Sequence, residues 1–388
     1  MGRGVQVSVK PDVLKWARVT SGATVEDAAE RVRVPPAAFA KWETEEAALT
    51  LTQLRELSNY FKRPLAAFLL TEPPEEPAPP RDYRTLPRNK TGFERETRLA
   101  IRKALRLRSI AKELMQSLQQ GIAPGFEGAN LLSGPEQVAQ RERERIGVSV
   151  EEQEKWRHEW EAYRKWRAEI ERQNVLVFQF PMPVEDARGF SLGDDVPNAI
   201  AVNSSDAIRA KNFTLFHEYA HLLLHTAGVC TPRLDIGKEK QEAEIERWCN
   251  RFAGAFLVPP PALQSVLRDV RTELEGQVLF DALKEGARNF KVSEQVVLRR
   301  LLDLELLSKK SFNFTLGQLV AGAQKGKPKG GIVRPAKRCL AENGVVFTSI
   351  VLEARSRGLI TYSDVGDFLN VRLKYLPEIE SSLATRAA

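Results

Sequence analysis

Histidine, cysteine and methionine are all scarce in this chain, at four, three and three in 388 residues. Cys230, Cys249 and Cys339 stand far apart with no CxxC spacing, which argues against a disulfide framework and against a thiolate zinc cluster. No stretch approaches 18 uninterrupted apolar residues, so nothing reads as a transmembrane helix and no membrane partner is expected. The opening MGRGVQVSVKPDVLKW lacks the apolar core and small-residue cleavage site of a signal peptide, and the expectation is a cytoplasmic protein. A P-loop is missing as well, because no G-x-x-x-x-G-K-[ST] occurs. What the chain does have is bulk: with 43% hydrophobic residues it can bury a large core, divided over two to four domains. The net charge of +7 permits contact with nucleic acid or an acidic partner, but an excess spread this thinly reads first as a solvated surface.

Residues 11–71 carry helical apolar periodicity through PDVLKWARVTSG, TVEDAAERV, PPAAFAKWE, TLTQLRELSNYF and PLAAFLL, which predicts four or five short helices. Thr24 with Asp27 has the pattern of a capping box, and Pro35 and Pro36 suit a first helical turn. The pair 24–31 and 35–43, joined by a tight turn at 32–34 and closed by Trp42-Glu43, resembles the helix-turn-helix of the XRE, or Cro-repressor-like, family. That resemblance implies DNA as a partner of this domain. The chain departs from the DNA-reading pattern, since PPAAFAKW offers Pro, Ala and Phe where base readers carry Arg, Asn, Gln or Ser. Arg33 and Lys41 are the side chains suited to DNA, and dimerisation or recognition of a protein partner is the alternative.

The expected domains are 1–72, a proline-dense linker at 73–92, a central domain at 93–310 and a helical C-terminal domain at 311–388. Residues 93–120 and 151–172 predict two helices, with Trp156, Trp160 and Tyr163 at core-packing spacing and His158 on the surface. NVLVFQF and VPNAIAVN predict strands of a small sheet. The segment from Ser204 to Gly228 predicts one helix, capped by Ser204, Ser205 or Asp206 and stopped by Gly228. Lys325 to Arg338, glycine-rich and basic, reads as a loop, followed by two helices with Thr361 or Ser363 capping the second. The fold class is therefore α+β.

Three of the four histidines, His217, His221 and His225, crowd into the predicted helix, where the first two frame HEYAH. Positions i and i+4 share a helix face, so both imidazoles can point at one Zn²⁺ with Glu218 beside it as general base. His225 lies about 12 Å from His217 along the axis at ~1.5 Å per residue, so it suits a supporting role near the site. The metzincin pattern fails, because Leu224 and Ala227 stand where it needs Gly and His. The remaining scheme adds a glutamate from a second helix, and KQEAEIERWCNRFAGAFLVPP offers Glu242, Glu244 and Glu246.

FTLFHEYAHLLLH from Phe213 and ERWCNRFAGAFLVP from Glu246 resemble the paired motifs of the ImmA/IrrE metallo-endopeptidases. RGFSLGDDVPNAIAVN and VSEQVVLRRL look like that family too. The resemblance implies a zincin-like domain, Glu246 as the third ligand and Zn²⁺ or Mn²⁺ as cofactor. Asn250, one turn further on, is expected to steady the Glu246 carboxylate. Asn198, Ala199, Ile200, Ala201, Val202 and Asn203 are expected to form an edge strand that pairs with an extended substrate. The implied substrate is a repressor- or antitoxin-like protein, with a toxin or regulator encoded nearby as a further partner and a homodimer left open. The alternative is a DNA-binding regulator or antitoxin whose metal fold is structural or sensory; Glu218 separates the two, because a scaffold has no use for a base.

Overall fold

A computed structural model describes residues 5–45, 47–75, 93–226, 238–267, 276–322 and 334–387. Their contacts divide them into two units, one made of residues up to 103 and the other of residues from 104 onward.

In the first unit β1 (Gln6–Val9) pairs antiparallel with β2 (Ala47–Thr50), Val7 opposite Leu49. Three helices lie between the strands in sequence: α1 (Pro11–Ser21), α2 (Val25–Val32) and α3 (Pro36–Trp42). α4 (Leu51–Phe61) and a 3-10 turn at Leu65–Leu69 follow. Helix starts are written locally. Asp27 N–H donates to Thr24 Oγ1 at 3.0 Å while the Asp27 carboxylate accepts from Thr24 N–H at 3.1 Å, and Thr50 with Gln53 repeats the arrangement. Arg33 ends α2 in the left-handed region at φ 58, which turns the chain into α3. Phe39, Leu54, Leu57, Phe61 and Phe68 fill the core. The strand pair was not expected from the sequence, because four-residue strands carry too little alternation to register against the helical pattern around them.

α5 (Arg95–Ser117) begins in this unit, where Arg95 and Arg102 donate to the Tyr60 and Phe61 carbonyls and so satisfy the end of α4. In the second unit α6 (Pro135–Ile146) is followed by α7 (Val150–Lys155) and α8 (Glu159–Glu171). The helix expected over 151–172 is therefore broken. Trp156 leaves helical geometry at ψ 132 to bury its ring, and His158 Nδ1 accepts from Glu161 N–H at 3.1 Å as the cap of α8. Trp156 and Tyr163 are buried as expected, but Trp160 is 55% exposed, with the Lys211 ammonium over its ring.

The sheet has the order β3 (Val175–Phe180), β5 (Asn198–Asn203), β4 (Gly189–Leu192), parallel between β3 and β5 and antiparallel between β5 and β4. All six residues of β3 and of β5 are buried, so both faces must be covered. On one face Val175, Val177, Ile200 and Val202 join Leu215, Phe216 and Tyr219 of α9 (Ile208–Thr226) in the core. The opposite face, which carries Phe178, meets Phe347 at 5.8 Å between ring centroids. Phe347 belongs to α16 (Val345–Ser356), and α15 (Pro335–Asn343) packs along β3. Arg167 of α8 reaches through to the carbonyls of Val177 and Ala341.

Around this centre lie α10 (Lys238–Leu257), α11 (Pro260–Val266), α12 (Gly276–Phe290), α13 (Glu294–Asp303) and α14 (Lys309–Gly322). α17 (Tyr362–Leu369) and α18 (Leu376–Ala387) complete the described chain, and Thr361, not Ser363, caps α17. Residues 335–387, part of the C-terminal stretch 311–388, lie in the second unit, where α15 packs along β3 and Phe347 of α16 meets Phe178. The basic loop expected at 325–338 ends in helix, since Pro335 to Arg338 form the first turn of α15, and the rest of it lies outside the described residues apart from Arg334. Among the described residues, no helix is long and apolar enough to cross a membrane.

If the C-terminal helices are part of this core, Phe347→Ala will destabilise the second unit by about 3–5 kcal/mol, the usual cost of emptying a buried phenylalanine site. Urea unfolding followed by tryptophan fluorescence measures it; an unchanged midpoint would mean that α15 and α16 fold separately.

Candidate metal centre

The HEYAH segment is buried on every side, and successive residues face different neighbours. His217 and His221 point together at α10. Glu218, about 100° further round the helix, lies against β4: a β-carbon added at Gly189 would come within 3.3 Å of Glu218 Cγ. Tyr219 turns to the back and donates to Glu142 Oε2 of α6 at 2.8 Å. Glu142 is fully buried and is held by Arg141 and Arg145, and Arg145 also donates to Tyr219 Oη at 2.6 Å. Burial, and then the Glu142 charge, keep the Tyr219 hydroxyl protonated far above its ordinary range. This network was missed in the sequence because QRERERI reads as a solvated charged face. It pins the rotation of α9 from behind.

On the front, three donor atoms converge. His217 Nε2 and His221 Nε2 are 3.2 Å apart, His217 Nε2 is 3.4 Å from Glu246 Oε2, and His221 Nε2 is 3.2 Å from Glu246 Oε1. Four-coordinate zinc with bonds of ~2.0–2.1 Å spaces neighbouring donors by about 3.3 Å, so the residues present fit such an ion. Electron pairs on two imidazoles and a carboxylate cannot share so small a buried volume unless a cation, metal or proton, lies among them. His217, His221 and Glu246 are the group of described residues able to hold a metal.

The surroundings prepare these ligands. His217 Nδ1 donates to Asn250 Oδ1 at 3.1 Å, which fixes the tautomer with the Nε2 lone pair facing the cluster. Asn250 was expected to steady the Glu246 carboxylate, and the structure places it on the histidine instead: one turn along α10, its amide reaches across to α9. Burial raises the Glu246 carboxyl, but its hydrogen bonds to His217 and His221 and their charges prevail and hold it at about 2. Burial likewise lowers His221, yet Cys249, Glu246 and Glu218 outweigh it and keep the imidazole well above its ordinary value. Burial pushes the Cys249 thiol up.

The other expected residues are placed as follows. Glu244 does not join the cluster, and the side chains of Glu242 and His225 lie outside the described residues, as do Cys230 and Gly228. Asp206 Oδ1 accepts from Ala207 N–H at 2.8 Å just ahead of α9. Asn198 to Asn203 do not form an edge: β5 is the central strand, with β3 and β4 taking its hydrogen bonds on both sides. The strand on the α9 side with no partner on its outer flank among the described residues is β4. Arg33 and Lys41 are both exposed in the N-terminal unit. Phe213, one turn before His217, has its ring 6.3 Å from that imidazole and is half-buried on the metal-facing side.

Two outcomes follow from this geometry. Asn250→Ala will weaken zinc binding by about 10- to 100-fold, the usual cost of losing a hydrogen bond that orients a ligand, while leaving the fold intact. Because His221 holds its proton to a higher pH than an ordinary imidazole, zinc binding near pH 7 will release a proton, and affinity will keep rising with pH above 6.5. Calorimetric titrations in buffers of different ionisation enthalpy read that release directly; heats independent of buffer would contradict it.

Residues 170–302 match the family model Peptidase_M78, described as the IrrE N-terminal-like domain. No curated protein matches the chain. The matched stretch runs from the end of α8 into α13, carries His217, Glu218, His221 and Glu246, and includes none of the N-terminal unit. The match supports the ImmA/IrrE family and a metallopeptidase-type function for this part of the chain.

Proposed function

We propose that the chain is a zinc-dependent endopeptidase that cuts a specific protein partner of repressor or antitoxin type. The observation that carries this reading is the convergence of His217, His221 and Glu246 with Glu218 one residue away and turned toward a sheet edge. The three ligands would hold the ion, with Mn²⁺ an alternative occupant. When bound, zinc supplies Lewis acidity, polarising a carbonyl and lowering the pKa of water toward ~7. Glu218 accepts the proton of the attacking water on its carboxylate and delivers it to the departing amine nitrogen. His217, fixed by Asn250, keeps its Nε2 lone pair aimed at the site, and His221, buried beside Cys249, offers its own once it gives up its proton. An extended substrate segment would add to β4, whose backbone runs beside Glu218.

The N-terminal helix pair is read as a partner-docking module. The exposed positions of α3 are Pro36, Ala37, Ala40 and Lys41, a surface with one charge and little to read base edges. The DNA-binding regulator reading draws support only from the shape of that pair.

The chain co-expressed with the protein encoded beside it, as wild type and as Glu218→Gln, tests the proposal through the mass of the neighbour. Cleavage by wild type, reduced at least ~100-fold by Glu218→Gln, is expected, since proton transfer by a placed base contributes about 10²–10⁴-fold. Equal cleavage by both would remove Glu218 as the base. An intact neighbour that co-purifies with both, together with specific binding of promoter DNA, would favour the regulator.

A further inference from the structure

Gly189 opens β4, and nothing in its backbone demands a glycine, since it is not among the residues at positive φ. Its importance is steric. A β-carbon there would sit 2.6 Å from Thr214 Cγ2, 3.0 Å from the Ala201 carbonyl oxygen and 3.3 Å from Glu218 Cγ. Carbon atoms in contact prefer about 3.5–4.0 Å, so the first approach is impossible and the others are compressed. Glycine inside a strand often marks such a close approach, a signal the sequence carried in RGFSL.

The obstacles differ in how they can yield. The Ala201 oxygen belongs to the central strand and is fixed by the sheet. Thr214 is almost fully buried, so its methyl has little empty space to move into. Glu218 lies one turn after Thr214 on the same face, is also buried, and carries the most flexible of the three groups. A side chain at position 189 would therefore push β4 away from α9 or turn the Glu218 carboxylate out of place.

We propose that Gly189 is a positioning residue: by presenting no side chain, it sets the spacing between the β4 backbone and the Glu218 carboxylate, so that a segment held along β4 meets that base. This rests on the peptidase reading for its functional half, whereas the spacing itself does not depend on it.

Four full-length proteins test it: wild type, Gly189→Ala, Thr214→Ser and the double variant. Thr214→Ser deletes the methyl that stands closest and keeps the hydroxyl. Each is loaded with zinc, crystallised, and assayed against the cleaved neighbour, with zinc affinity measured separately. Gly189→Ala is expected to displace the Glu218 carboxylate or widen its gap to β4, and to lower kcat by about 100-fold, the scale of a 1 Å misplacement. Zinc affinity should be unchanged, because His217 and His221 lie on another face of α9 and Glu246 lies on α10. The double variant should recover most of both the spacing and kcat, and Thr214→Ser alone should behave as wild type. Wild-type spacing and kcat in Gly189→Ala would overturn the proposal. So would a double variant no better than the single one, or a loss of zinc affinity as large as the loss of kcat, since either marks general damage. If Gly189→Ala fails to fold, the double variant decides alone, by recovering the fold and the spacing or not. Restored spacing in a protein whose wild type cuts nothing would leave the spacing standing and remove the peptidase reading.

Discussion

Three electron-pair donors brought within hydrogen-bonding distance of one another in a buried space repel unless a positive charge sits among them, and the second unit is organised around enforcing that crowding. His217 and His221 cannot turn away, because α9 is packed on all sides. Glu246 cannot retreat, because its neighbours Trp248, Cys249 and Phe252 are locked in the core. Tyr219, bonded to a buried carboxylate behind, holds the helix in the rotation that keeps both imidazoles on the α10 side. Only a preorganised site can be kept in this state, and the stability needed to keep it comes from the large apolar core around Trp166, Phe216 and Phe256.

The histidine pair was legible because its chemistry is local: two ligands and a base within five residues of one helix. The third ligand required the pattern around Glu246, since three glutamates compete at short range and only the helix register separates them. Asn250 shows the limit of such reading. Its position one turn after Glu246 pointed to the carboxylate, but the amide spans the gap between two helices, and no spacing within one helix reveals which atom it meets across that gap. Glu142 was hidden for a related reason, because a charged helix face looks solvated until a buried tyrosine is seen to face it.

The sheet illustrates how topology escapes a linear reading. VPNAIAVN was seen as a strand, yet its placement at the centre depends on GFSL, four residues with a glycine at their head that carry almost no strand signal of their own. The apolar runs of β3 and β5 have the pattern of strands covered on both faces, although in the sequence they read only as strands of a small sheet. What they could not say was that the second layer arrives from the far end of the chain, through α15 and α16. Helix caps, by contrast, were read well at Thr24 and Thr361, where the whole motif spans four residues.

β4 is only four residues long. A strand of that length offers a visiting chain a handful of backbone hydrogen bonds, and backbone is common to every sequence. Such an edge can measure whether a segment is extended but not which protein it came from. If β4 holds the substrate segment in the proposed peptidase reading, discrimination among targets has to be exercised on surfaces away from the cut, and a target folded at its cut site has to release a short stretch before it can be engaged at all.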